Sequence, residues 1–339
     1  MTVFEWIAEQ LMPEVRPTTA LIYDGMASQS GWSLPIIYEP FDAGNVVHWC
    51  DRGAVLDYAL TTHSAGKRVL DFGPGDGWPS LILAPLAGEV VGVDGSSRRV
   101  DVCTENAARL GITNASFVHT APGTPLPFDD GAFDAVVAAS SVEQTPDPRA
   151  TLSELHRVLR PGGRLRLSYE ALNRYRGGAE REAWLASLDE RTTRLVLYDR
   201  NLETEIAIQI ALTFALPRQE VIEAFGAGDE VAAFSDISFS AVTPEVLGRL
   251  IPATVDAAAS TTRHPSCATW LRWLREAGFT EAHPTHSGSE IAGRVFGTLA
   301  AGERPDMIER IDAYLRPIVA IAVELPAPVE LDPMITAVK

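Results

Sequence analysis

Between residues 68 and 169 the chain alternates short apolar runs with longer amphipathic segments, and this alternation constrains the fold more than any other feature. Apolar runs of strand length predict β-strands, and the segments of helical periodicity between them predict α-helices. Short links between successive strands and helices are typical of a parallel sheet covered by helices on both faces. The pattern therefore predicts a doubly wound, mostly parallel α/β sheet.

After residue 170 the alternation stops, and residues 171–262 have the pattern of an insertion. Ile206–Phe214 alternates large apolar residues with small or polar ones, which predicts a strand with one buried face. Residues 194–198 precede it across the turn-forming residues 199–201, which favours an antiparallel hairpin. Residues 234–241 are a candidate third strand of the same inserted lid.

The α/β pattern resumes with a helix over 265–277, a strand near 279–285, a helical segment over 290–316 and a last strand at 334–339. Earlier, residues 77–86 have a helical pattern, and a helix over 96–110 begins at Ser96 as its N-cap. We therefore divide the chain into an N-terminal helical or lid segment (1–64), an α/β core (65–170), an inserted cap or dimerisation region (171–262) and a C-terminal completion of the core sheet (263–339).

Net charge and cysteine content exclude several classes of protein. A formal net charge of −17 repels nucleic acid, and no basic cluster offsets it. The three cysteines are far apart and odd in number, so the sequence predicts no disulfide framework. The first residues carry acids at Glu5 and Glu9 rather than the basic start of a signal peptide. The longest apolar stretches are too short to cross a bilayer, so we expect a cytoplasmic protein without a membrane partner.

The strongest local signal is a glycine-rich turn that joins a predicted strand to a predicted helix. It reads Asp71-Phe72-Gly73-Pro74-Gly75-Asp76-Gly77. Glycines allow the backbone to turn sharply and to approach a ligand closely, and a helix N-terminus offers unpaired N–H groups. The spacing is GxGxG and differs from the GxGxxG of dinucleotide binders. Asp71 would repel a pyrophosphate but suits a cation such as the ammonium group of an amino acid.

A second acid follows at the end of the next predicted strand. Asp94 closes the run Val90-Val91-Gly92-Val93. An acid at this point of an α/β sheet can accept hydrogen bonds from both hydroxyls of a ribose. Asp71 and Asp94 together predict a ligand that is a nucleoside bearing an amino acid.

Four segments in this order resemble the class I S-adenosylmethionine-dependent methyltransferases. They are DFGPGDG at 71–77, VVGVDGS at 90–96, PLPFDDGAFDAVVAAS at 125–140 and VEQTPDPRATLSELHRVLRPGGRLRLS at 142–168. The resemblance implies a seven-stranded sheet and S-adenosylmethionine as the cofactor. The site residues that it implies are Asp71, Gly73, Gly75 and Gly77 under the methionine part, Asp94 on the ribose, Gly95 and Ser96 beside the adenine, and Ser140 and Ser141 near the methionine and its methyl group.

One part of the resemblance is incomplete. Relatives often carry an acid before the LPF segment that reads the adenine amino group, and here residues 120–124 contain none. Backbone groups or Thr120 would replace that contact. Ser140 and Ser141, at the end of their strand, stand where magnesium-dependent relatives carry acids. No metal is therefore predicted.

The acceptor side of the site is less defined. Glu143 is the candidate general base, and the alternative is a loop acid or a cap of the following helix. The proposed acceptor contacts are Tyr23, Trp32 and Tyr38 in the N-terminal segment and Tyr169 and Glu170 at the end of a core strand.

The leading hypothesis is methyl transfer to a small molecule, on oxygen or nitrogen, by in-line displacement. One alternative is a binding or scaffold protein that keeps the fold without turnover. Another is a nicotinamide-dependent oxidoreductase, which the GxGxG spacing and Asp71 oppose. The alternating strand at 206–214 is also a candidate edge strand for pairing between two copies of the chain. The 171–262 insertion is therefore a candidate homodimer interface.

Overall fold

The computed structural model describes residues 1–16, 41–170, 181–201, 203–226, 237–329 and 334–339. The strands within these ranges are β1 (Glu14–Val15), β2 (Arg68–Phe72), β3 (Glu89–Asp94), β4 (Ala115–His119), β5 (Phe133–Ala139), β6 (Leu159–Ser168), β7 (Arg181–Ser187), β8 (Thr193–Asn201), β9 (Ile206–Phe214), β10 (Thr254–Arg263), β11 (His283–Thr285) and β12 (Met334–Val338). The α-helices are α1 (Val3–Leu11), α2 (Val46–Thr61), α3 (Ser80–Leu83), α4 (Ser97–Leu110), α5 (Pro148–Val158), α6 (Arg218–Phe225), α7 (Pro244–Leu250), α8 (Cys267–Glu276), α9 (Gly288–Thr298) and α10 (Ile308–Ala322).

The chain forms two compact units. One contains Met1–Gln29 and Leu172–His264, and the other contains Ser30–Ala171 and Pro265–Lys339. The segment that the sequence separates as residues 1–64 is thus divided, because α1 and β1 belong to the first unit and α2 to the second. The second unit carries the glycine-rich turn and is called the core unit below.

The core unit contains the predicted seven-stranded sheet, in the order β11-β12-β6-β5-β2-β3-β4. Strands β2, β3, β4, β5 and β6 pair in parallel, while β12 is antiparallel to both β6 and β11. The predicted doubly wound, mostly parallel α/β fold is confirmed. The order of the strands reverses between β2 and β5, and the carboxyl ends of strands at such a point form a natural ligand crevice.

Both faces of this sheet are covered, which explains why its strands read as continuous apolar runs. Val69 and Leu70 are successive residues of β2 and point to opposite faces. Leu70 packs in a cluster with side chains of α5 and α8, including Leu152 and Trp270. Val69 packs in a second cluster with residues of α2 and α3, including Tyr58.

A fully buried ion pair joins α2 to the sheet of the core unit. Asp57 on α2 accepts two hydrogen bonds from the guanidinium of Arg166 on β6, at 2.7 and 2.8 Å. The remaining donors of Arg166 reach Thr285 on β11, Thr336 on β12 and a backbone carbonyl. Asp57 also accepts from the N–H of Gly288, the first residue of α9. The pair therefore connects three strands and two helices that are distant in sequence.

The other unit is built on a five-stranded sheet in the order β1-β10-β9-β8-β7. The predicted hairpin of β8 and β9 is confirmed, but its turn lies later than predicted. Asn201 pairs with Ile206, so residues 199–201 belong to β8 and the connection follows them. The turn-forming residue types misplaced it, because residues 199–201 continue the pairing with β9 in spite of the low strand propensity of Asp and Asn.

Two further predictions for this unit are wrong. Where the chain is described, the candidate third strand at 234–241 contains a short 3₁₀ helix at Phe239–Ala241, and β10 and β7 complete the sheet instead. Strand β9 is also not buried on one face alone, because Gln209 and Thr213 are buried while Ile208 is 45% exposed. A period of two identifies a strand but does not show what covers each face.

Three core elements differ from their predicted bounds. The segment 290–316 is two helices, α9 and α10, because the link between them contains Gly302 and Pro305 and cannot continue a helix. The helix expected over 77–86 is reduced to α3 and a 3₁₀ turn at Ala84–Leu86. The strand near 279–285 is the short β11. Within the described ranges, none of the helices is long and apolar enough to cross a membrane.

Candidate active site

The glycine-rich turn follows β2 at the point where the strand order reverses. Gly73, Gly75 and Gly77 all have positive φ, at 77°, 57° and 113°. A Cβ on Gly73 would lie 2.5 Å from Cβ of Ser141, so the backbones that follow β2 and β5 approach too closely for any side chain. A Cβ on Gly75 would meet only a guanidinium nitrogen of Arg99, at 3.8 Å. The turn therefore has room for a Cβ at Gly75 but not at Gly73.

Asp71 lies beneath this turn and is fully buried. Its Oδ2 accepts hydrogen bonds from Ser80, from the backbone N–H at 3.1 Å and from the hydroxyl at 2.6 Å. Its Oδ1 is buried and has no hydrogen-bond partner. Burial, reinforced by the nearby carboxylate of Asp94, raises the pKa of Asp71 to about 7. An unpartnered carboxylate oxygen at this position suits a hydrogen-bond donor or a cation.

The structure does not offer the helix N-terminus that the sequence predicts as a ligand site. Helix α3 has only four residues, and the N–H of Ser80 at its start is already donated to Asp71. The N–H of Gly77 is donated within the turn, to the carbonyl of Pro74. The turn is therefore built to bring an acid, rather than a row of free amides, to the crevice.

Asp94 ends β3, one strand away from Asp71, and is 7% exposed. Its two carboxylate oxygens accept from the N–H of Ser96 at 2.8 Å and from the N–H of Gly75 at 3.3 Å. Each oxygen keeps capacity for a further hydrogen bond, as a pair of hydroxyls requires. Burial raises the pKa of Asp94 above its ordinary value. The carboxylate thus joins the glycine-rich turn to the end of β3.

The residues around Asp94 bring the ends of β3 and β4 together. Ser96 caps α4 as predicted, accepting from the N–H of Arg99. The carbonyl of Gly95 lies 3.2 Å from Nε2 of His119, the last residue of β4. The N–H of Thr120 donates to the carbonyl of Asp94, and its hydroxyl lies 3.3 Å from that of Thr124. These contacts leave Thr120 beside Asp94, and its contact with the adenine stays a prediction.

Ser140 and Ser141 follow β5 on the other side of the reversal point. Ser140 has a positive φ of 49°, a conformation that non-glycine residues adopt at a cost and that is enriched at functional sites. The hydroxyl of Ser141 donates to the carbonyl of Phe72 at 2.5 Å. Ser141 therefore holds the last residue of β2 and touches Gly73.

Glu143 lies beyond these serines and is 5% exposed. Its Oε1 accepts from the N–H of Glu170 at 2.8 Å, while its Oε2 is buried without a hydrogen-bond partner. Burial raises the pKa of Glu143 to about 7, and the carboxylate of Glu170 adds to the effect. The cap of α5 is Asp147 and not Glu143. Glu143 thus connects the ends of β5 and β6 and keeps one oxygen available.

The proposed acceptor residues lie in different surroundings. Tyr169 is buried, with its ring 5.9 Å from that of Trp270 in the core, and Glu170 is partly exposed beside Glu143. Tyr23, Trp32 and Tyr38 fall outside the described residues.

Sequence reasoning missed two residues of the crevice. Arg99 lies over Gly75 and interacts electrostatically with Asp76 and Asp94. The sequence could have indicated Arg99, because it lies three residues after the N-cap of α4 and the first turn of that helix faces the strand ends. Tyr58 on α2 lies with its hydroxyl 3.0 Å from that of Ser168 at the end of β6, and nothing in the local sequence indicates this contact.

The residues that are present fit S-adenosylmethionine. The ammonium group of its amino-acid part needs an acceptor, and Asp71 Oδ1 is a buried acceptor without a partner. Its ribose carries two hydroxyls, and Asp94 has two oxygens at the neighbouring strand end.

Comparison with known proteins identifies the same part of the chain. The family described as "Methyltransferase domain" matches residues 70–167. The chain is 43% identical over 101 residues to a demethylmenaquinone methyltransferase of Clavibacter sepedonicus, covering 30% of this chain and 40% of that protein. It is 32% identical over 131 residues to the 27-O-demethylrifamycin SV methyltransferase of Amycolatopsis mediterranei, covering 35% and 48%. The chain spans about half or less of the length of these curated relatives.

Among solved structures, the CcbJ methyltransferase from Streptomyces caelestis aligns with a TM-score of 0.47 and 15% identity, covering 95% of this chain and 97% of that one.

Proposed function

We propose that this chain, whose residues 70–167 form a class I methyltransferase domain, transfers a methyl group from S-adenosylmethionine to a small-molecule acceptor. The observation that carries the proposal is the pair of buried acids at the ends of β2 and β3. Asp71 keeps an unpartnered oxygen, and Asp94 is held against the glycine-rich turn. A cationic amino acid joined to a nucleoside satisfies both acids, whereas a pyrophosphate at the glycine-rich turn would be repelled by Asp71.

When bound, S-adenosylmethionine supplies a methyl group on a positively charged sulfur, so the leaving group needs no further activation. The work left to the chain is to bind, align and exclude water. In this proposal Asp71 holds the amino-acid end of the cofactor and Asp94 holds its ribose. Ser141 fixes the turn through the carbonyl of Phe72, and Ser140 and Ser141 border the position of the methyl group.

Glu143 is the residue that we propose to receive the acceptor's proton. Its Oε1 is fixed by the N–H of Glu170, and its Oε2 has no partner within the protein. A carboxyl group whose pKa is near 7 is well matched to proton transfer at neutral pH. The same geometry serves a hydroxyl acceptor or an amine acceptor, so the proposal covers both O- and N-methylation.

The small-molecule acceptor and the cytoplasmic location belong to the same proposal. The names of the two curated relatives above both describe methylation of small molecules, which supports an acceptor of that class. A net charge of −17 disfavours nucleic acid. Cys50, Cys103 and Cys267 are all free thiols, as a reducing compartment favours. Tyr23, Trp32, Tyr38, Tyr169 and Glu170 remain predicted acceptor contacts.

The test is calorimetric titration with S-adenosylhomocysteine, on the native chain and on Asp94→Ala. We expect the native chain to bind, and the variant to bind at least about tenfold more weakly because the ribose hydroxyls lose their acceptor. Glu89→Ala is the matched control, since Glu89 is the exposed acid at the opposite end of β3. Absence of binding to the native chain would contradict the proposed function.

The buried state of Glu143 predicts a measurable pH dependence of stability. In the folded protein its pKa is about 7, against an ordinary value of 4.5. Between these values the folded chain keeps a proton that the unfolded chain has released, so this group's contribution to stability is lost as pH rises. Glu143→Gln stays neutral and keeps an oxygen for the N–H of Glu170. We therefore expect the unfolding free energy of Glu143→Gln to rise relative to that of the native chain as the pH increases. The difference should grow by up to about 3 kcal/mol from pH 4 to pH 8.

Urea unfolding of the native chain and of Glu143→Gln at a series of pH values measures this difference. Asp71, whose pKa burial also raises to about 7, is present in both chains, so its effect cancels. A difference that does not change with pH would show that Glu143 is not a buried neutral acid, and its proposed part in proton transfer would be lost with it.

A further inference from the structure

We propose that two copies of this chain pair through an exposed apolar stripe on α10. The stripe consists of Tyr314, Ile318, Ile321 and Leu325. Ile321 is 66% exposed and the other three side chains are 36–50% exposed. The four positions follow the spacing i, i+4, i+7 and i+11, so they lie along one side of the helix and the turn that continues it.

Helix α10 carries two apolar faces, of which the core unit covers one. Ile311, Leu315, Val319 and Ala322 are its buried residues, and the first three pack in a cluster with residues of α2 and α9. Tyr314, Ile318 and Ile321 each precede one of these buried residues by one position, which places the stripe about 100° around the helix. An ordinary surface helix has a polar face at that position, so the second apolar face calls for a partner.

Three residues of the stripe, together with Met307, are placed symmetrically about one point of the helix, as an interface between two identical chains requires. Tyr314 and Ile318 lie two residues on either side of position 316, and Met307 and Leu325 lie nine residues on either side of it. Met307 is also exposed, at the N-terminus of the helix. When two such helices pair antiparallel about a two-fold axis, Tyr314 meets Ile318 of the second copy and Met307 meets its Leu325.

Two charged residues beside the stripe also favour a second copy of this chain as the partner. Arg310 and Glu324 are exposed, lie on the flank of the stripe that faces away from the core, and are placed almost symmetrically about its centre. In an antiparallel pair related by a two-fold axis, this flank of one helix lies on the same side of the interface as the same flank of the other helix. Arg310 therefore meets Glu324 of the second copy. Their contacts within the chain are peripheral ones, to Asp306 at 3.5 Å and to Arg164 at 4.0 Å. Such exposed pairs contribute little energy but set the register of an interface.

Sedimentation velocity of the native chain and of Ile321→Asp tests the pairing. We expect a concentration-dependent dimer in the native chain, and a dissociation constant raised at least about tenfold in the variant. Ile321 is exposed, so the variant should keep its circular dichroism spectrum and its affinity for S-adenosylhomocysteine. Arg316→Glu is the control. Arg316 is exposed on the far side of the same helix, two positions from Ile318, and this change should leave the dimer unaltered.

A charge exchange makes the test specific for this register. Arg310→Glu and Glu324→Arg each place like charges together and should weaken the dimer. The double variant restores opposite charges and should recover most of the native affinity.

Three results would overturn the proposal. They are a native chain that stays monomeric at about 100 µM, a dimer that survives Ile321→Asp, and a double charge variant no better than the singles. A surviving dimer would point to the 171–262 region instead. None of these outcomes depends on whether the core unit binds S-adenosylhomocysteine.

Discussion

Asp57→Ala is expected to lower the free energy of unfolding by about 3–5 kcal/mol. The substitution leaves the guanidinium of Arg166 buried without its countercharge, since both side chains are inaccessible to water. It also removes the acceptor of the N–H of Gly288 and so loosens the start of α9. Urea unfolding, followed by the change in midpoint at constant slope, measures the loss.

Two further variants make this expectation specific to burial. Glu89→Ala breaks the exposed pair between Arg68 and Glu89 and should cost less than about 1 kcal/mol. The double variant Asp57→Leu with Arg166→Met removes both charges and should be clearly more stable than Asp57→Ala. Equal losses for the buried and exposed pairs would mean that the network around Arg166 does not hold α2 to the sheet.

Gly73→Ala is expected to weaken binding of S-adenosylhomocysteine by at least about a hundredfold. The added Cβ would lie 2.5 Å from Cβ of Ser141, and the φ of 77° disfavours any side chain. Relief of the collision requires the turn after β2 and the segment after β5 to separate. Ser141 then loses its hydrogen bond to Phe72, and the crevice between the two strands changes shape. Calorimetric titration measures the loss of affinity.

The controls separate the collision from backbone strain and from unfolding. Gly66 also has a positive φ, of 69°, but a Cβ there meets nothing within 4 Å. Gly66→Ala should therefore carry the strain and keep the affinity. Ser141→Gly in the Gly73→Ala background removes the colliding atom and should recover part of the binding. If Gly66→Ala weakens binding as much as Gly73→Ala does, the close approach of the two segments is not what the turn requires.

The local features of the cofactor site could be predicted because they depend on residues that are near in sequence. A GxGxG turn after an apolar run predicts a strand, a sharp turn and a ligand, and all three glycines do adopt positive φ. The N-cap at Ser96 was predictable for the same reason. By contrast, the unpartnered oxygens of Asp71 and Glu143 depend on what surrounds each side chain in space, which no local pattern contains.

The inserted region shows where pattern reading fails. The alternation in β9 correctly predicts a strand, but the buried Gln209 and the exposed Ile208 contradict the face that it assigns. Thr254–Arg263 is rich in alanine, serine and threonine, so it lacks the large alternating residues that mark a strand, yet it forms β10 in register with β9. Pairing with a neighbour, more than its own composition, makes this segment a strand.

By itself the sequence determined the parallel α/β core, the turn at 71–77 and the acids at 71 and 94. Strand and helix periodicity, glycine conformation and the order of elements are all local properties. The tertiary structure alone decided that Asp57 pairs with Arg166, that Ser141 excludes a side chain at Gly73, and that Glu143 keeps one oxygen without a partner. These facts arise because folding buries groups that are distant in sequence next to one another. Once a group is buried, its neighbours in space determine its hydrogen-bond partners and whether it can carry a charge.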